Sequence, residues 1–236
     1  MITNKKTFTL GLVLLVSFVA VFAFIMSPSF GDGRNGLEYA DDMFNSLSKG
    51  SAYFISEEMV KAEKMAGHEV NVTIVAADST QAQMWEKLYT PTGANVDING
   101  NEVTIKGDLG NIFTASITDS DAMYNNQGDK IANNYGVDAR TASYGWYTSL
   151  KAMSGALDKQ GMFPESAAIQ SVMKKALEPS YNYYGIEPKK VADYTVAVFL
   201  LLAFYLVYTL WYGFSIYFLA DGFGITASKS AKKVQA

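Results

Sequence analysis

The chain has 236 residues, of which 49% are hydrophobic and only 18% charged, so parts of it are too apolar for one ordinary soluble domain. A formal charge of −4, from 19 Lys and Arg against 23 Asp and Glu, argues against a general nucleic-acid binder, which relies on basic surface to displace phosphate counterions. The absence of cysteine excludes disulfides, thiolate zinc sites, iron–sulfur clusters and c-type haem attachment, and the single histidine, His68, excludes any centre that needs two imidazoles from this chain.

The first element is a charge-free stretch from Phe8 to Met26, close to the roughly 20 apolar residues that a helix needs to cross a bilayer. We read 8–27 as a first transmembrane helix, ended by Pro28. Lys5 and Lys6 in front also suit a secretory signal with a weak cleavage site after Ala23, but an uncleaved anchor is the preferred reading. Ser27 to Gly36 follows as a short Gly-rich linker. Gly31, Gly33 and Gly36 spell G-x-G-x-x-G, yet the dinucleotide fingerprint requires a preceding strand, and here a membrane segment precedes.

Residues 28–190 carry 21 acidic against 14 basic side chains and are long enough for one hydrophobic core, so a single α/β domain is expected there. Ala52 to Ala66 reads as an amphipathic helix stopped by Gly67. Glu69 to Ala76 alternates Val70, Val72 and Ile74 with polar residues, as a strand buried on one face does. A helix from Asp78 to Tyr89 follows, capped by Asp78 or Ser79 and buried through Ala82, Trp85 and Tyr89. Ala94 to Ile98 and Glu102 to Lys106 alternate again around Asn99-Gly100, which predicts a hairpin. Asp108 then caps a helix reaching about Tyr124. The expected order for this half is α-β-α-β-β-α, with a right-handed crossover between the first two strands and helices covering one face of a three-stranded sheet.

The second half reads as helical. Trp146, Leu150, Met153 and Leu157 share a 60° arc, and a further helix should run from Pro164 to a stop at Pro179 with Ile169, Val172, Met173 and Leu177 inward. Tyr181, Tyr183 and Tyr184, with Tyr194 beyond them, suit a lipid–water boundary. Val191 to Leu219 is the second transmembrane helix, at about 1.5 Å per residue longer than the bilayer core is thick. Lys5 and Lys6 before the first span, and Lys229, Lys232 and Lys233 after the second, place both termini in the cytoplasm and residues 28–190 outside it.

Candidate chemistry is sparse. Asp97, Asn99 and Asn101 open like a calcium loop, but Glu102 occupies the position that requires Gly, and a hairpin turn explains them better. Asp119 and Asp121, with Asp129 and Asp138, are candidate oxygen ligands or paired carboxylates, although nothing marks a nucleophile beside them. His68, just past a helix stop, suits a surface or capping role. The strongest signal lies in the second span, where ten of the 29 residues from Val191 to Leu219 are aromatic. Tyr194, Tyr205, Tyr208 and Tyr212 cluster within 60° of one another on a helical wheel, and an unpaired phenol in hydrocarbon is costly. Side-chain acceptors in the first span are few, Thr9 and Ser17, so Tyr205, Tyr208, Trp211 and Tyr212 are expected to face another membrane subunit or a polar-headed lipid or quinone.

These features predict a membrane-anchored α/β protein without a cofactor or metal of its own. It would act as an accessory or scaffold subunit of a membrane complex, with an electron-transfer assembly as the most natural host by association. Residues 28–190 would meet extracytoplasmic proteins. A membrane-anchored ligand-binding or sensory module is the alternative, and its weakness is the shortness of the cytoplasmic tails.

Overall fold

The structure is a computed structural model that describes residues 2–225. It is mostly helical, with one small antiparallel sheet, and it divides into two compact units. One comprises the residues up to Phe44 together with those from Lys189 onward, and the other is Asn45–Pro188. Lys229, Lys232 and Lys233, used above to orient the chain, lie outside the described residues.

The first unit is built on two long apolar helices, α1 (Lys5–Ile25) and α10 (Val191–Gly222), both long and apolar enough to cross a membrane. Asn4 caps α1 by accepting from the backbone amides of Lys6 and Thr7. The two helices pair antiparallel: the Thr3 and Asn4 amides donate to the Gly222 carbonyl at 2.8 and 3.1 Å, and Phe18 stacks on Tyr208 with ring centroids 4.3 Å apart. The start of α1 and the end of α10 are therefore at one end of the pair. Close approach depends on glycine. A Cβ on Gly11 would lie 2.6 Å from the Leu219 nitrogen, and one on Gly222 would lie 2.6 Å from the Phe8 Cβ.

A helix absent from the sequence reading, α2 (Gly36–Lys49), follows the linker, where the Asn35 side chain accepts from the Leu37 and Glu38 amides and Glu38 returns a bond to the Asn35 amide. The second unit then runs α3 (Ile55–Glu63), β1 (Glu69–Val75), α4 (Ser79–Tyr89), β2 (Asn95–Asn99), β3 (Glu102–Asp108) and α5 (Leu109–Tyr124), the expected order. Asp78 and Asp108 cap α4 and α5, accepting from the Gln81 and Asn111 amides. The strand order is β1-β3-β2 with both pairings antiparallel, so β1 and β2 run parallel with β3 between them. Val70, Val72 and Ile74 are buried while Asn71, Thr73 and Val75 are exposed, so one face of the sheet is covered. The hairpin turn sits one residue later than the sequence suggested. Asn99 is the last residue of β2 and pairs with Glu102, and the positive φ of 64° falls on Gly100, the first central residue.

Four helices complete the unit: α6 (Gly128–Tyr135), α7 (Ala139–Lys159), α8 (Phe163–Val172) and α9 (Glu178–Tyr183). Trp146, Leu150, Met153 and Leu157 of α7 are fully buried, and Ile169, Val172, Met173 and Leu177 point inward as expected. Pro179 does not stop the helix as expected. Residues Met173–Leu177 form a π turn, and Pro179 sits in the first turn of α9, where its missing N–H removes no helical bond. The core centres on Trp85, Tyr89, Phe113 and Trp146, with Tyr89 and Trp146 in edge contact at 5.0 Å.

Candidate functional site

The aromatic face of α10 divides in two. Ser215 and Gly222 are the buried residues of this helix, and with Tyr208 and Trp211 they fall within about 60° of one another at 100° per residue, which defines the side that meets α1. The Trp211 Nε1 donates to the Leu14 carbonyl at 3.1 Å, so the first span supplies an acceptor from its backbone although its side chains offer few. Tyr208 lies between Phe18 and Phe204, and its hydroxyl is buried without a partner among the described residues. Tyr205 and Tyr212 are 69% and 49% exposed, the Tyr212 ring standing 5.2 Å from that of Phe18, and neither hydroxyl has a hydrogen-bond partner among the described residues. Tyr194 lies under the Lys189 ammonium, 5.0 Å from the ring centroid.

An apolar groove of about 910 Å³ follows these helices inside the first unit, with Phe22, Phe30, Leu37, Phe204 and Tyr208 among its walls. Its size and its aromatic lining suit a hydrophobic occupant. Tyr181, Tyr183 and Tyr184 belong to the other unit. Tyr183 and Tyr184 pack against its core, and the Arg140 guanidinium lies 5.2 and 5.4 Å from the Tyr181 and Tyr184 ring centroids.

The four aspartates are given separate tasks. Asp119 is buried, accepting from the Tyr135 hydroxyl at 2.7 Å and the Trp146 Nε1 at 2.8 Å. Burial pushes its carboxyl above the ordinary range, and the two donors offset part of that. Asp121 accepts from the Tyr53 hydroxyl at 2.6 Å, which pushes that phenol up to about 12. Asp138 caps α7 by accepting from the Thr141 amide, and its carboxyl is lowered by the Thr141 side chain and amide. Asp129 stands in the first turn of α6. No group of three His, Asp or Glu among the described residues is placed to hold a metal ion. Asp97 and Asn99 are exposed strand residues of β2, and His68 places Nδ1 3.4 Å from Glu165. Gly31 and Gly33 adopt positive φ in the turns before α2.

Sequence reasoning missed a buried lysine. Lys49, 2% exposed, donates to the Tyr183 and Ile186 carbonyls at 3.0 and 2.6 Å and to Asn126 Oδ1 at 3.2 Å, and burial lowers its pKa. Nothing in the pattern around Lys49 marks it, because its acceptors come from segments distant in sequence.

No family model, curated protein or solved structure matches this chain.

Proposed function

We propose that this chain is a cofactor-free accessory or scaffold subunit of a larger membrane protein complex. In this reading α1 and α10 hold it in the bilayer with both termini in the cytoplasm, residues 28–190 meet extracytoplasmic partners, and α10 docks laterally on a neighbouring subunit. The observation that carries the reading is the pair of exposed phenols, Tyr205 and Tyr212, on a helix whose surroundings would otherwise be hydrocarbon. An unpaired hydroxyl there costs a few kcal/mol, which an acceptor on a neighbour removes. The antiparallel pairing of α1 with α10 supports tails on one side. At about 1.5 Å per residue, the 32 residues of α10 reach about 48 Å against a core of about 30 Å, so α10 tilts or projects into the outer phase. The apolar groove would hold acyl chains or a quinone at the same surface. An electron-transfer complex is the preferred host.

Purification of the full chain from its native membrane in mild detergent tests this. Defined partners are expected to accompany it. Replacing Tyr205 and Tyr212 together by Phe keeps the hydrophobic surface, removes the two exposed hydroxyls and should weaken partner retention at least about tenfold, on the scale of 1–2 kcal/mol for hydrogen bonds between membrane helices. Recovery of the wild type as a lone monomer, or unchanged co-purification of the double variant, rejects the docking surface.

A further inference from the structure

The unit Asn45–Pro188 contains a cleft of about 230 Å³ between α7 and the junction of the π turn with α9, and the docking reading makes no use of it. Its two walls are set by helical spacing. Tyr144 and Tyr147, three residues apart, share a face of α7, and Glu178, Tyr181 and Asn182 share a face of α9. The π turn decides which face of α9 is presented. Relative to an α-helix it adds one residue to a turn and rotates everything after it by about 100°, so Glu178 and Tyr181 reach the α7 side only because Met173–Leu177 is wound this way.

The lining is chemically one-sided: three phenol rings, one carboxylate and no Lys, Arg or His. The Glu178 carboxylate has no ion pair or hydrogen bond among the described residues. Tyr144 is 57% exposed, so its ring is accessible. These rings already receive cations from the chain itself: Arg140 lies over Tyr181 at 5.2 Å and Lys151 over Tyr147 at 5.9 Å. Arg140 precedes Tyr144 by one turn of α7 and Lys151 follows Tyr147 by one turn, and neither side chain lines the cleft itself. Phenol rings that line one cleft with an unpaired carboxylate favour a cation that is weakly hydrated and has apolar surface of its own, because it loses little on leaving water and contacts the rings directly. A bare metal ion gains less there, since it must shed water for a single carboxylate.

We propose that this cleft is a binding site for a small organic cation of the methylated-ammonium class. The faces of Tyr144, Tyr147 and Tyr181 receive the methyl groups, and Glu178 balances the charge. The site is independent of the membrane helices and of the docking reading. The test uses the purified full chain in mild detergent, titrated calorimetrically with tetramethylammonium chloride and with choline chloride, against potassium chloride at matched ionic strength. Saturable binding of both organic cations with a dissociation constant near or below about 10 mM is expected, with no saturable response to potassium. Glu178→Gln and Tyr144→Leu should each weaken binding about fivefold or more at an unchanged melting temperature. Tyr144 is exposed enough that its variant keeps the test valid should Glu178→Gln fail to fold. Absence of saturation up to about 50 mM, an equal response to potassium, or undiminished binding by the Tyr144→Leu variant overturns the proposal.

Discussion

Asp119 shows how two carboxylates only two residues apart acquire opposite roles. On α5, Asp119 and Asp121 are separated by about 200° of helical rotation, so one faces the core and the other the surface. Asp119 shares its side with Ile112, Ser116 and Met123, all buried, and that alignment was legible in the sequence although the pair was read there as a candidate site. What could not be read was the identity of the donors. Tyr135 comes from α6 and Trp146 from α7, and only tertiary packing brings them within 2.8 Å of one carboxylate. Burial is the largest influence on Asp119 and raises its folded pKa above the ordinary value of 3.8. The unfolded chain therefore releases this proton at lower pH than the native one does, so between pH 3.8 and the raised native value the unfolded state binds fewer protons and stability falls as pH rises. Asp119→Asn removes the titration. Its melting temperature relative to wild type should rise steadily as pH is increased through that window and stay level above it. A difference independent of pH would show that Asp119 keeps an ordinary pKa in the fold.

At the scale of elements, strong periodicity was legible and tertiary compensation was not. β1, the β2–β3 hairpin, α4, α5, α7 and both apolar helices follow patterns that hold locally, with caps at Asp78 and Asp108 that the sequence displays, while the cap at Asp138 was read there as a candidate ligand. The missed helices differ in kind. α2 follows directly on the Gly-rich turns and α6 has only eight residues between Gln127 and Gly136, so each depends on contacts elsewhere for its stability. Pro179 misled because a proline normally ends a helix, whereas the π turn resets the winding and makes that position a first turn. The pairing of α1 with α10 was also hidden, yet Gly11, Ser215 and Gly222 are the small residues that mark such a contact. Gly11→Leu should therefore separate the helices and lower the free energy of unfolding in a denaturing-detergent titration by about 1–3 kcal/mol, as overpacking does. Gly213→Leu, where an added Cβ meets nothing within 4 Å, is the control and should change little. Equal losses in the two variants would mean that close approach at Gly11 is not what holds the pair.

For the whole molecule, the chain enters the Asn45–Pro188 unit and leaves it through segments that the same side chains hold together. Lys49, in the last turn of α2, binds the Tyr183 and Ile186 carbonyls near the exit. Its own carbonyl accepts from the Tyr124 hydroxyl, and its ammonium lies 5.1 Å from that ring's centroid. Asn126, held at a φ of 58°, completes the staple: its Nδ2 donates to the Ile186 carbonyl and Glu187, and its Oδ1 accepts from the Gly185 amide at 2.7 Å. A buried ammonium with three oxygen acceptors fixes the ends of this unit to each other, so displacement of either end is transmitted to the other instead of being absorbed by a loose terminus. Lys49→Met keeps the length of the side chain and removes the charge, leaving two backbone carbonyls without their strongest donor. A loss of roughly 2 kcal/mol, the scale of a hydrogen bond to a charged group, is expected. Because the acceptors lie in 183–187, the loss should appear first as local opening. Backbone amides of that segment should exchange with deuterium roughly 30-fold faster, while those of β3 and α7 keep their wild-type protection. Uniform acceleration across the unit would instead make Lys49 part of the global fold, and unchanged exchange at 183–187 would show that Asn126 alone is enough to hold the exit.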